Sequence, residues 1–124
     1  IFNMWTTRMN EICEGNKKNG INTIIILQPM LGSGNKDLSD SEKILLESYG
    51  VNMEDTLKIL DKMSASLTEL EGMCDGVYDF TTSFDDISES VFYDHIHVNN
   101  LGNEIIANKI YQKILSDWLE DISK

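Results

Sequence analysis

An unbroken aliphatic run, Ile24–Leu27, is the feature that most constrains the fold of this chain. Its β-branched residues favour a strand, and apolar side chains at every position are typical of a parallel-sheet strand with both faces covered. A helix is predicted over residues 3–18, before this strand. Asn19-Gly20 is a typical helix C-terminus and ends that helix. The sequence therefore predicts a strand at residues 21–28 in an α/β fold.

Turn-forming residues follow this strand. Pro29 ends it, because proline cannot donate to a ladder, and a glycine-rich loop covers residues 30–38. Ligands of open α/β sheets bind at the carboxyl ends of the strands. We therefore expect Gln28, Pro29, Gly32 and Ser33 to border a bound ligand. Ser33 lies between two glycines, as an exposed nucleophile sometimes does, but the local pattern favours a turn serine.

Two helices are predicted between this loop and a second strand. Ser39 and Glu42 have the spacing of a capping box and open a short helix that ends at Gly50. Asn52 is the predicted N-cap of the next, longer helix. That helix carries an apolar stripe, for which core packing is favoured over a methionine-rich binding face: Met53, Leu57, Leu60, Met63, Leu67, Leu70 and Met73.

The remaining chain completes a single domain. Residues 77–80 are predicted to form a second short strand, and a polar, acidic loop leads from it to a closing amphipathic helix that starts near Leu101. Asn99 or Asn100 is the predicted N-cap. The pattern contains no internal repeat and no linker, so one domain is predicted over residues 1–124, with about two parallel strands and four helices.

Charge and hydropathy exclude several function classes. A net charge of −11 argues against a nucleic-acid partner and against attraction to an anionic membrane surface. No apolar run approaches the roughly 20 residues that a membrane-spanning helix needs. Cys13 and Cys74 lack metal-binding spacing, and two buried thiols are favoured over a disulfide. The localisation of the protein stays open.

Asp94 and His97 are the candidate catalytic residues of the sequence. A hydroxyl nucleophile needs a base that takes its proton, and imidazole suits this role near neutral pH. A carboxylate that accepts the second ring N–H orients the imidazole and stabilises its charged form. The spacing Asp-x-x-His, in a loop just before the closing helix, allows the two side chains to meet. We expect His97 to be the general base and Asp94 its orienting acid.

Two other interpretations of this segment stay open. Asp94, His95 and His97 include residue types that bind metals, but no further ligand cluster is visible in the sequence, so no metal is predicted. The pair could instead only cap and solvate the loop before the last helix. His95 is assigned as a flanking residue.

Four segments in order resemble the SGNH (GDSL) hydrolases. Residues 5–20 resemble the helix after the family's Gly-x-Asn-Asp block, and residues 24–29 resemble its fourth strand with a trailing proline. Residues 77–80 resemble its last strand. Asp94-x-x-His97, followed by Asn99, Gly102 and Ala107, resembles its final block.

The resemblance implies a three-layer α/β/α, flavodoxin-like fold, of which this chain is the C-terminal part. It implies hydrolysis of a carboxylic ester by a Ser-His-Asp triad without a cofactor. His97 would be the general base and Asp94 the orienting acid. Whether the substrate is a small ester, a lipid or an acetylated sugar is open.

The chain also departs from that family. It contains no Gly-Asp-Ser and no Gly-x-Asn-Asp, so the nucleophile and the oxyanion donors are expected before Ile1. The chain alone is therefore expected to be nearly inactive, and the exposed sheet edge at residues 21–28 is expected to promote self-association. The alternative function is a non-enzymatic, acidic helical interaction module that uses the methionine-rich stripe.

Overall fold

The computed structural model describes residues 2–122, so Ile1, Ser123 and Lys124 of the predicted domain lie outside the described part. Helices alternate with two short strands along the chain. The elements are α1 (Phe2–Lys18), β1 (Ile24–Leu27), α2 (Asp40–Ser66), a 3₁₀ turn (Leu67–Leu70), β2 (Gly76–Asp79), α3 (Asn100–Ile110), a π-helical turn (Tyr111–Leu115) and α4 (Ser116–Ile122).

The two strands form a parallel pair. Ile24 lies opposite Gly76 at one end, and Leu27 lies opposite Asp79 at the other. Both strands are four residues long, so β1 is shorter than the predicted strand over residues 21–28. A parallel pair joined by a long helical crossover is the basic unit of α/β folds, and the predicted α/β class is confirmed at this level.

The helices follow the prediction at Gly50. Ser39 caps α2 and forms the predicted capping box with Glu42. Gly50 has φ 59° and ψ −143°, a non-helical conformation that only glycine adopts easily, so α2 consists of two helical segments that meet at a kink there. The predicted end of the first segment at Gly50 is therefore confirmed. The second segment follows directly, so Asn52 has a helical backbone and the prediction that it is the N-cap is wrong.

The first core cluster lies between one face of the sheet, α1 and the second half of α2. Leu27 is buried here, and Ile25 and Val77 pack against the cluster. The methionine-bearing stripe contributes as predicted: Leu60, Leu67 and Leu70 are buried, with Leu57, Met63 and Met73 packed around them.

Cys13 and Cys74 form a disulfide inside this first cluster, so the prediction of two thiols is wrong. Their Cα atoms lie 5.0 Å apart, which is within the range that a disulfide can bridge. The sequence interval of 61 residues does not show this proximity. It arises because α1 packs beside the segment that enters β2.

A second core cluster lies at the carboxyl ends of the strands, where the loops after β1 and β2 meet α2 and α3. Leu31, Phe84 and Val91 are buried at its centre. The rings of Phe84 and Phe92 meet edge to face, with centroids 5.5 Å apart. This cluster supports the segment that carries Asp94 and His97.

The sheet within residues 2–122 has two strands, so each strand has one edge without a strand partner there. Ile26 is 37% exposed. Self-association through the edge of β1 stays a prediction. No helix in the described range has the length and the apolar content that crossing a membrane requires.

Candidate active site

Asp94 and His97 lie in a short hairpin, which we call the dyad loop (residues 92–98). An antiparallel bridge joins Phe92 to Val98 and closes the loop. The Tyr93 N–H donates to the His97 carbonyl oxygen at 2.9 Å. These contacts fix the loop at both ends, immediately before α3.

The Asp94 carboxylate forms hydrogen bonds with the second half of the same loop. Its Oδ1 accepts the backbone N–H groups of Ile96, at 2.9 Å, and of His97, at 2.7 Å. Its Oδ2 lies 2.8 Å from Nδ1 of His97. The predicted meeting of the two side chains is therefore confirmed; the catalytic role assigned to them stays a prediction.

These hydrogen bonds also set the ionisation of the acid. The backbone N–H of His97, then that of Ile96, and then the His97 ring hold the pKa of Asp94 well below its usual range. An ionised carboxylate only accepts hydrogen bonds, so the neutral His97 ring that faces it carries its proton on Nδ1 and leaves Nε2 free. The His97 side chain is 72% exposed. A base of this kind can therefore take a proton from a group that approaches from outside.

The start of α3 is built around Asn99 and Gly102. The Asn99 side chain accepts the Gly102 N–H at 3.0 Å and donates to the Ser90 carbonyl oxygen at 2.7 Å, which makes Asn99 the N-cap. A Cβ at Gly102 would lie 2.7 Å from Cβ of Val98. Only glycine therefore allows α3 to approach the dyad loop this closely.

An apolar cleft of about 350 Å³ lies beside His97. Gln28 and Pro29 line it, and their predicted contact with a ligand stays a prediction. The sequence reasoning missed the other residues that line it, although alternation along β1 and the apolar stripe of α3 could have indicated Ile26 and Ile106. These other residues are Ile26, Phe80, Ile96, Val98, Asn103 and Ile106.

Gly32 and Ser33, unlike Gln28 and Pro29, are not among the residues that line the cleft. The Ser33 hydroxyl accepts the Met30 N–H at 2.9 Å and donates to the Thr81 carbonyl oxygen at 3.0 Å. A Cβ at Gly32 would meet the side chain of Leu57. Both residues therefore stabilise the turn after β1. The Ser33 hydroxyl already uses its one O–H in the hydrogen bond to Thr81.

His95 packs away from the pair formed by Asp94 and His97. Its ring meets that of Tyr49 edge to face with centroids 5.3 Å apart, and its carbonyl oxygen accepts the Leu31 N–H at 2.9 Å. Within residues 2–122, no group of three or more histidine, cysteine, aspartate or glutamate side chains is arranged to hold a metal ion.

A buried ion pair lies behind the dyad loop, and the sequence indicated only part of it. Nζ of Lys36 lies 2.8 Å from Oε1 of Glu42, and the two side chains are 2% and 1% exposed. Burial raises the pKa of Glu42, but hydrogen bonds from Lys36 and from backbone N–H groups outweigh burial and leave that pKa below its ordinary value. The capping box predicted one contact of Glu42, with Ser39; the contact with Lys36 depends on the tertiary fold.

We compared the chain with models of protein families, with curated proteins and with solved structures, and none of the three comparisons gave a match. The assignment of a function therefore rests on the sequence and on the geometry of the site.

Proposed function

We propose that this chain is the C-terminal part of an SGNH-type ester hydrolase with a three-layer α/β/α fold. The observation that carries the proposal is the contact of 2.8 Å between Asp94 and the ring of His97. It lies at the carboxyl ends of two parallel strands, where ligands of α/β proteins bind. The order of the segments along the chain, strand, strand, Asp-x-x-His and helix, adds support.

In the proposed mechanism, His97 is the general base and Asp94 orients it. Nε2 of His97 takes the proton of a serine hydroxyl as that oxygen attacks the ester carbonyl carbon, and then gives the proton to the leaving alcohol. Asp94 stabilises the imidazolium between these two steps. The serine and the oxyanion donors belong to a segment before Ile1, so the chain alone is nearly inactive.

The apolar cleft beside His97 suits the acyl part of an ester. Its volume, about 350 Å³, is at the lower end of the range for small-molecule sites. Ile26, Phe80 and Ile106 give it an apolar lining, whereas Gln28 and Asn103 add amide groups. These properties favour a small acyl group as the ligand.

The alternative, a non-enzymatic interaction module, receives less support. It requires a methionine-rich face that is open to a partner. Met53 is buried instead, and Met63 and Met73 pack against the first core cluster. The close contact of Asp94 with His97 has no role in that alternative.

The test is ester turnover by the full-length protein and by two variants of it. His97→Ala removes the proposed base and should lower kcat by roughly 10³-fold or more. His95→Ala is the matched control, because it removes the neighbouring imidazole and should keep most of the turnover. Unchanged turnover in His97→Ala would rule out the assignment.

A further inference from the structure

We propose that Glu42 is a positioning residue for the dyad loop and acts through the backbone of Val91 and Phe92. Oε2 of Glu42 accepts the Val91 N–H at 3.1 Å and the Phe92 N–H at 3.2 Å. Glu42 lies at the start of α2, 49 and 50 residues earlier in the chain. One side chain therefore joins α2 to the segment at the start of the dyad loop.

The second carboxylate oxygen fixes Glu42 itself. Oε1 accepts the Ser39 N–H at 3.0 Å and an N–H of Lys36 at 2.8 Å. Lys36 also donates to the Glu89 carbonyl oxygen at 2.9 Å. Charge-assisted hydrogen bonds of this kind are stronger than neutral ones, and they have few competitors in a buried site. The contacts of Oε1 thus fix the Glu42 side chain, and Oε2 fixes the backbone of Val91 and Phe92.

Backbone hydrogen bonds connect residues 91–92 to the part of the dyad loop that contains Asp94 and His97. The Asn99 N–H donates to the Val91 carbonyl oxygen at 2.8 Å, and the Tyr93 N–H donates to the His97 carbonyl oxygen at 2.9 Å. Both are rungs of the hairpin that Phe92 and Val98 close. Moving the backbone at residues 91–92 would therefore move His97 relative to Asp94 and the cleft.

Two substitutions separate positioning from simple stabilisation. Lys36→Met removes the buried cation but leaves the Glu42 carboxylate free to accept both backbone N–H groups. Glu42→Gln keeps the shape, but its single carbonyl oxygen cannot face both the Lys36 side and the Val91 side. The charged Lys36 side chain binds the amide oxygen more strongly than the neutral backbone N–H groups do. The NH₂ group, which only donates, therefore faces Val91 and Phe92. Both variants break the ion pair, whereas only Glu42→Gln weakens the hold on residues 91–92.

The experiment is amide hydrogen exchange of this chain, with the Tyr93, Ile96 and His97 amides as reporters. We expect Glu42→Gln to lower their protection by at least about tenfold more than Lys36→Met does, each relative to the global stability of the variant. Equal losses in the two variants would overturn the proposal, because they would show an effect of overall stability. No loss in Glu42→Gln would overturn it as well.

A milder variant keeps the test decisive if Glu42→Gln does not fold. Glu42→Asp keeps the charge beside Lys36 and shortens the reach by one methylene, so the same difference in protection from Lys36→Met is expected and its absence counts equally against the proposal.

An effect of Glu42 on catalysis rests on the proposed function. The exchange experiment tests only the positioning of the dyad loop and does not depend on that function. In the full-length protein, we expect Glu42→Gln to lower kcat for an ester and to leave KM nearly unchanged. A loss of protection at His97 without any loss of kcat would support positioning by Glu42 and would contradict catalysis by His97.

Discussion

Asp94 binds His97 twice, since one carboxylate oxygen accepts the His97 backbone N–H at 2.7 Å and the other lies 2.8 Å from the Nδ1 atom of its ring. The backbone contact fixes where the residue lies, and the ring contact fixes which nitrogen is free. A residue that only capped the loop would need the first contact but not the second. This double contact is the physical basis of the proposed catalytic role.

Asp94→Asn tests the ring contact. The amide keeps the shape of the side chain but loses the charge that stabilises the imidazolium. We expect kcat of the full-length protein for a small ester to fall on the order of 10³-fold. Asp86→Asn, an exposed position in the preceding loop, is the matched control and should retain turnover. A similar rate for both variants would show that the Asp94 charge has no catalytic role.

The ionisation of Asp94 can be followed by its carboxyl ¹³C resonance. Because the folded pKa lies below the ordinary value of 3.8, the carboxylate should still be ionised when a reference aspartate peptide is half protonated. The sign follows: the contribution of Asp94 to folding is fully present above the ordinary pKa and is lost only as pH falls through the lower, folded value. A titration midpoint at or above that of the peptide would contradict the observed hydrogen bonds.

Gly102→Ala tests the close approach of α3 to the dyad loop. The added methyl group would lie 2.7 Å from Cβ of Val98, so we expect a loss of about 1–3 kcal/mol in the free energy of unfolding, measured in urea. Gly15→Ala is the matched control, because no neighbouring atom lies within 4 Å of the added methyl group in α1. That variant should gain about 0.5–1 kcal/mol, since alanine favours a helix. Equal effects of the two substitutions would show that no close contact exists at Gly102.

The disulfide between Cys13 and Cys74 should contribute strongly to stability. It closes an interval of 61 residues, for which loop entropy predicts about 4 kcal/mol. We expect the double variant Cys13→Ala, Cys74→Ala to lose up to that amount in urea unfolding. Two reactive thiols in the unfolded protein, prepared without reductant, would show that the bond does not form.

Local sequence signals predicted the local structure well. The apolar run at Ile24–Leu27 gave a strand of the right type, and the capping box of Ser39 and the N-cap at Asn99 are both present. The spacing of Asp94 and His97 was enough to predict their contact. Each of these features depends on residues within a few positions of one another, so the sequence contains the necessary information.

Features that depend on distant residues were missed. Oε2 of Glu42 accepts backbone N–H groups some 50 residues later, and the two cysteines meet because α1 packs beside the entry to β2. Such contacts follow from the tertiary fold and leave no periodic pattern.

The most direct test of the central claim is covalent labelling of the full-length protein with an alkyl fluorophosphonate, which reacts with a serine that a base has activated. Mass spectrometry then locates the modified residue. We predict a single adduct on a serine before Ile1, and its loss in His97→Ala but not in His95→Ala. An adduct on Ser33, or labelling that persists unchanged in His97→Ala, would contradict the assignment of His97 as the base of an esterase.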